Sequence, residues 1–338
     1  MTGWGRFPAL GMQIGEAAVR IVRLKRGTGP EGPLPPAWAE VPLPPGAVGE
    51  ERIVRPRDLY EALRDWRTSA GIIGGRVVIG LPPGHVISRM VAVPRLSRRE
   101  LQAYLETEQA MGRLIPLSDP LFWLDPYDPD DGRQGEDGRR RMVVTAVEQR
   151  TVQAVHDVLT ALGFFVRRIA PPGPGVGALL CRMGSTLDDA AALWRQPDAG
   201  EGEALDVFLF SRGVPVFYRR MLIGGGADAD AALLPLVERL ERFYRTTLLD
   251  PATRVEGFRE IWYFDRTPVG ETWVSALSAA FPEAKVVPLA EQLPELPPGA
   301  WWAWAIGAAT ERCRNRRTSE RQRPTWRIRV KRKRGGDR

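Results

Sequence analysis

The chain of 338 residues is poor in side chains that do chemistry. It has two cysteines, Cys181 and Cys313, and two histidines, His85 and His156. The cysteines are far apart and show neither CxxC nor Cys/His spacing, so no zinc centre or disulfide framework is indicated. Both read as plain thiols, since a reactive cysteine needs an electropositive, partly open setting. With so little imidazole, a Ser-His-Asp triad or a His-rich metal centre is poorly supplied, and His156 falls near the apolar face of a helical segment, where packing is its expected role. Three aspartates crowd one stretch, Asp128, Asp130 and Asp131. They lack the twelve-residue ligand order with a terminal Glu that calcium loops use, so the stretch reads as a solvated hairpin turn. Residues 171–180, PPGPGVGALL, carry close glycines after a strand without the full GxGxxG spacing, a weak dinucleotide fingerprint. GxxxxGK[ST], GxSxG and HxxE metal-helix patterns are absent, which weighs against a transferase or kinase.

The elements that would position these residues alternate between strand and helix. Residues 8–25 read as a β-hairpin with a turn at Gly15-Glu16. A strand follows around Trp38 to Leu43, then a helix from Arg57 to Ser69 with Leu59, Leu63 and Trp66 on one face, and a strand from Arg76 to Pro82. His85 to Pro94 reads as a strand, and Ser97-Arg98-Arg99-Glu100 as a capping box for a helix ending near Gly112. Strands LFWLD and MVVTAV, a helix from Thr151 to Leu162 stopped by Gly163, and a strand from Phe164 to Ala170 complete the first half. From Ala204 a second strand-turn-strand unit appears, with its turn at Ser211-Arg212-Gly213, followed by glycines 224–226. A long helix (228–248), a strand (260–264), a helix (271–280), a strand (284–289) and an apolar helix (301–313) are expected after it. Two halves that each open with a hairpin argue for a duplicated α/β architecture, with the hairpin at 204–224 repeating the one at 8–25.

Composition is that of a globular chain, 43% hydrophobic and 26% charged, long enough for roughly two domains. The longest nearly uncharged apolar stretch, Gly299 to Ala309, is shorter than the ~20 residues of a spanning helix, and the N-terminal residues show no signal-peptide pattern, so a cytoplasmic location is expected. The net charge of +7 belongs to the end of the chain. Residues 312–338 hold 13 Lys/Arg and 2 Asp/Glu, a net of +11, which leaves −4 for the remainder.

Five stretches in order resemble the PilM family of type IV pilus assembly proteins, relatives of FtsA and of the cytoplasmic domain of GspL. They are LGMQIGEAAVRIVRLKRG, RVVIGLPPGHVISRMVAVPRLSRRELQAYLETEQAMGRLIP, RRRMVVTAVEQRTVQAVHDVLTALGFFVRRI, GVPVFYRRMLIGGG and VERLERFYRTTL, and the similarity runs from about Leu10 to Ala309. The resemblance implies an actin-like (ribonuclease H-like) duplicated α/β fold with an inserted extra α/β subdomain. Residues 1–83 would form the first actin-like part, 84–170 the insert, 171–311 the second half and 312–338 a basic tail.

Such folds hold Mg-ATP between two hairpins whose backbone N–H groups reach the phosphates and whose carboxylates position magnesium and water. Here Gln13 stands where the family has Asp, Asp206 is followed by Val-Phe-Leu-Phe with no Gly-rich turn, and the adenosine loop reads DRTPVG (265–270) in place of a Gly pair. Gln13, Gly15, Glu16, Asp206, Gly224 and Gly225 are the residues expected at this vestigial cleft. The implied protein is a non-hydrolysing scaffold without cofactor. The alternative is an ATP- and Mg2+-binding switch in which Glu16 or Asp206 replaces the missing carboxylate.

The resemblance also implies a partner, the short cytoplasmic N-terminal segment of a PilN-like single-span inner-membrane protein, held in a groove beside the insert among other pilus platform proteins. The helix with Leu101, Tyr104 and Leu105 marks the groove region, although those three suit the insert's own core. The tail, with Arg327, Arg329, Lys331, Arg332, Lys333 and Arg334, has three readings: an anionic membrane surface or partner, which would place the protein peripherally at the inner face of the plasma membrane, nucleic acid, or a solvated terminus.

Overall fold

The computed structural model describes residues 6–24, 37–49, 52–127, 139–197, 202–224, 227–248, 257–264 and 270–289. The aspartate turn at 128–131, Gly225, residues 265–269, the expected helix over 301–313 and the basic tail lie outside them.

The first sheet contains β1 (Ala9–Ile14), β2 (Ala18–Leu24), β3 (Trp38–Pro42), β4 (Gly75–Gly80) and β8 (Phe164–Ala170), in the order β3-β2-β1-β4-β8. β1, β2 and β3 run antiparallel, whereas β4 and β8 lie parallel to β1 and to each other. Helix α1 (Pro56–Ser69) supplies the crossover to β4. It starts with Pro at its first position and Asp58 in its first turn, where a fixed φ and a negative charge both favour a helix N-terminus. Leu59 and Leu63, four apart, carry its buried face. β4 begins where Gly75 passes the backbone of Pro8 so closely that a Cβ would lie 2.2 Å from the Pro8 carbonyl oxygen.

Between β4 and β8 the chain builds a third sheet from β5 (Ile87–Pro94), β6 (Pro120–Pro126) and β7 (Arg139–Glu148), antiparallel in the order β5-β7-β6. Its helix α2 (Arg98–Ala110) opens on the expected capping box. The Ser97 hydroxyl accepts from the Glu100 N–H, and the Glu100 carboxylate accepts from the Ser97 N–H at 2.8 Å. Leu101 and Leu105 pack beneath α2 with Val93, Met142 and Val144, forming a small core of the insert. Helix α3 (Gln149–Ala161) and β8, expected by sequence inside the insert, return to the first half: α3 packs on α1 and β8, and β8 is the edge strand beside β4.

The second half repeats the first in topology. Helix α4 (Gly173–Arg182) leads to β9 (Ala190–Pro197), β10 (Glu203–Ser211), β11 (Val214–Gly224), α5 (Ala227–Phe243) with a π-helical turn over Tyr244–Leu248, β12 (Glu260–Phe264), α6 (Gly270–Ala280) and β13 (Lys285–Pro288). The order is β11-β10-β9-β12-β13, with three antiparallel strands followed by two parallel to the first. The duplication is real, but its register differs from the expected one. The strand equivalent to β1 is β9, not β10, so the hairpin at 204–224 repeats β2–β3. β9 escapes a search for alternation because Ala190, Ala191, Ala192, Leu193 and Trp194 are buried on both faces of a central strand, and such strands read as continuous apolar runs. The glycine-rich stretch before it is helix α4, where a Cβ on Gly177 would lie 3.1 Å from the Phe210 ring and one on Gly173 3.0 Å from Pro215. Those glycines serve close helix packing, and the dinucleotide reading falls.

One continuous core joins the halves, with Leu10, Met12 and Val77 of the first and Trp194, Phe208 and Trp262 of the second in the same buried cluster. Among the described residues no helix is long and apolar enough to cross a membrane.

Candidate inter-half cleft

The matched topology makes the strand registers comparable. In the first sheet Glu40 lies opposite Arg20, Arg20 opposite Gln13, and Gln13 beside Gly80. In the second, Arg220 lies opposite Asp206, Asp206 opposite Trp194, and Trp194 beside Phe264. The two rows correspond strand for strand, with the charges exchanged. Where the first has acid on its third strand and base on its second, the other has base on its third and acid on its second. Gln13 and Trp194 hold equivalent positions.

Neither position offers a free ligand. Gln13 is 1% exposed, and its amide is engaged at both ends: Nε2 donates to the Ile14 carbonyl at 2.6 Å, and Oε1 accepts from Arg20 Nη1 at 3.1 Å. Arg20 Nε reaches Glu40 Oε2 at 3.3 Å. Trp194 stacks on Phe264, ring centroids 5.1 Å apart and planes 13° from parallel. Gly15 makes the β1–β2 turn tight, its N–H donating to the Ala18 carbonyl at 2.9 Å, and a Cβ there would approach Ala18 O to 3.1 Å and Arg20 Nη1 to 3.3 Å.

The turn residue Glu16 faces the other half. Arg220 of β11 stands with Nε 3.6 Å from Glu16 Oε1 and Nη1 3.8 Å from Asp206 Oδ2, so one guanidinium lies between a carboxylate of each half. Asp206 is fully buried and accepts from the Tyr218 hydroxyl at 3.3 Å. Burial, with Asp206 alongside, pushes the Tyr218 phenol well above its ordinary value and keeps it a neutral donor. Glu16 and Asp206, both expected at the cleft, are thus brought together through a residue the sequence reading missed. Gly224 ends β11 opposite Glu203, exposed. Arg20, Glu40, Trp194, Tyr218, Arg220 and Phe264 were not expected there. The signal for Arg220 was a cation in an alternating strand on the same side as Tyr218, readable only once β10 and β11 are in register.

A second polar feature lies where the insert meets the first sheet. Trp123 of β6 enters the common core, and the neighbouring Asp125 is half-buried close to Arg168 of β8. Burial pushes the Asp125 carboxyl up to about 6 against the opposing pull of Arg168. Arg168 Nε is buried without a hydrogen-bond partner among the described residues. Leu101 and Leu105, 3% and 1% exposed, face the insert's core, and Tyr104 is half-buried against it. The basic tail residues lie outside the described residues.

No protein-family model matches the chain, and no curated protein matches it in sequence. Among solved structures, that of a PilM-PilN type IV pilus biogenesis complex aligns with a TM-score of 0.62 and 22% identity, covering 90% of this chain and 98% of that one. The fold is PilM-like. It belongs to the actin-like class, as the five-stranded sheets of identical order already indicate. More distant similarities are to the cytoplasmic domain of EpsL, an inner membrane component of the type II secretion system of Vibrio cholerae (TM-score 0.45, 15% identity, 77% of this chain and 83% of that one), and to a polyphosphate/ATP-glucomannokinase from Arthrobacter sp. strain KM (TM-score 0.38, 14% identity, 90% and 98%).

Proposed function

We propose that this protein is a cytoplasmic scaffold of a type IV pilus or related secretion platform, which binds the cytoplasmic N-terminal segment of a PilN-like membrane protein and has given up nucleotide binding. The observation that carries the reading is the cleft: Gln13 and Trp194 stand at the paired positions, and the nearby carboxylates Glu16 and Asp206 share Arg220. Magnesium needs carboxylate or water oxygens free to ligate it. An arginine lies between the two acids instead and balances their charge, and the stacked Trp194–Phe264 pair adds bulk at the second position. These residues do not fit a Mg-triphosphate, and no catalytic step is assigned. Likeness to a chain whose structure is a PilM-PilN complex, over nearly its whole length, supports the choice of partner.

The seam between β6 and β8 is the proposed groove. There the half-buried Arg168 would offer its guanidinium to a peptide carbonyl or carboxylate, and a peptide lying along it would cover the half-buried Asp125. Leu101, Tyr104 and Leu105 would act indirectly, holding α2 on the sheet that forms one wall. The basic tail is proposed to rest on the anionic inner face of the membrane, at ~1 kcal/mol per cation near the surface. Co-purification with a PilN-like protein tests the central claim. Deleting that protein's cytoplasmic N-terminal segment abolishes the association, and retention after deletion overturns it. For the tail, flotation on anionic but not neutral vesicles is expected, and is lost when residues 314–338 are removed.

A further inference from the structure

Arg220 lies in a setting where charge is costly. Its side chain and that of Glu16 are each 9% exposed, and that of Asp206 is 0%. Removing such ions from water is costly, and the cost is offset only while the oppositely charged partners stay in place. A guanidinium is always protonated and presents five donors in a rigid plane, so it can serve two carboxylates at once. Here the carboxylates come from different halves, Glu16 from the β1–β2 turn and Asp206 from the middle of β10. If the halves separate, Arg220 and Glu16 lose each other while the Arg220–Asp206 pair within one sheet persists. The same strand β11 packs against β5 of the insert and against the short helical turn Pro83–His85 that follows β4. A shift of Arg220 would therefore be felt at three parts of the molecule.

We propose that Arg220 is an internal latch across the cleft, holding the two halves at one spacing where an actin-like protein would use a bound ligand. The ion pairs stand on the geometry alone; the statement that they replace a ligand rests on the nucleotide-free reading above. A PilM-like scaffold built this way is held closed permanently, which suits a protein that must present one groove to a membrane partner without a switching cycle.

The test uses the full chain with Cys181→Ala and Cys313→Ala, spin labels at Arg64→Cys on α1 and Arg239→Cys on α5, both exposed, and pulsed dipolar spectroscopy. The parent is expected to give one narrow distance distribution. Glu16→Gln, which removes only the first half's charge and leaves the Arg220–Asp206 pair, is expected to broaden it and add longer distances, and Arg220→Met to do so further. A Glu16→Gln distribution that superposes on the parent's overturns the latch. In urea unfolding, a double-mutant cycle between Glu16→Gln and Arg220→Met is expected to show coupling of roughly tenfold in the unfolding equilibrium constant, the factor for a coupling of about 1.4 kcal/mol. Simple additivity overturns it. Should Arg220→Met not fold, Arg220→Lys, a point charge without the fork, takes its place in the cycle. Mg-ATP added to Glu16→Gln is expected to change nothing. Restoration of the narrow distribution by Mg-ATP would overturn the nucleotide-free reading while leaving the latch standing.

Discussion

Gln13 and Trp194 occupy one position twice. Each sits on the first strand of its sheet, opposite a buried charged residue on the second strand, Arg20 or Asp206, which in turn faces its counter-ion on the third. The first sheet has an engaged amide at this position and the second a stacked indole, so neither supplies the carboxylate that the proposed loss of nucleotide binding turns on.

Calorimetric titration of the full chain with Mg-ATP should therefore show no binding tighter than about 100 µM, or roughly −5.5 kcal/mol. Gln13→Asp alone should not restore it, because Trp194 and Arg220 remain. Binding below that threshold in the unaltered protein would reinstate the ATP-dependent switch.

Asp206→Ala removes the acceptor from Tyr218 and one of the two carboxylates at Arg220, leaving a buried cation undercompensated. Breaking a buried ion pair from one side costs about 3–5 kcal/mol. Urea unfolding should show a loss of that order, and Asp206→Asn, which keeps an acceptor for Tyr218, a smaller one.

His85 gives stability a pH dependence. Its Nε2 lies 2.7 Å from the Gly49 carbonyl, so this nitrogen carries the hydrogen, while Nδ1 is buried without a hydrogen-bond partner among the described residues. Burial pushes the folded-state value down from 6.5 to about 4. Between those values the unfolded chain binds the proton and the folded one does not, so stability is full above pH 6.5 and falls as pH drops toward 4. The loss is about 3 kcal/mol from 1.36 kcal/mol per unit. Thermal melts across pH 4–7 should show it, and His85→Gln should flatten that part of the profile.

Asp125 acts with the opposite sign. Its folded value, pushed up to about 6 by burial, lies above the unfolded 3.8, so its contribution is full below 3.8 and lost as pH rises through 6. Asp125→Asn should raise the melting temperature at pH 7 and make little difference at pH 3.5. Arg168→Met, by removing the proposed peptide donor, should weaken PilN-like partner binding while the protein stays folded.

Gly75→Ala tests the crowding at the foot of β4. A Cβ 2.2 Å from the Pro8 carbonyl oxygen cannot be accommodated by side-chain movement, since the obstacle is backbone. The melting temperature should drop well beyond the roughly 1.5 °C that 1 kcal/mol produces in a chain of this size.

Much of the fold was legible because local chemistry and tertiary role agreed. The Ser97/Glu100 capping box, the glycine stops after α2 and α3, with φ of 68° at Gly112 and 78° at Gly163, and the hairpin β1–β2 are all set by residues within a few positions of one another. β9 was hidden for the opposite reason. Ala-Ala-Ala-Leu-Trp is apolar on both sides because the strand is central, so its periodicity vanishes, and with it went the register of the repeat.

The sequence by itself determined the duplicated α/β order, the scarcity of catalytic side chains and the absence of an aspartate at position 13, since each is a property of residue type and short-range pattern. Only the tertiary structure decided how the buried charges between the halves are paired. Arg220 is far in sequence from Glu16 and fourteen positions from Asp206. It meets them because β10 and β11 pair in a particular register and the two sheets share one core. Interactions between separate elements depend on that packing, and no local pattern encodes which buried acid a buried cation will face.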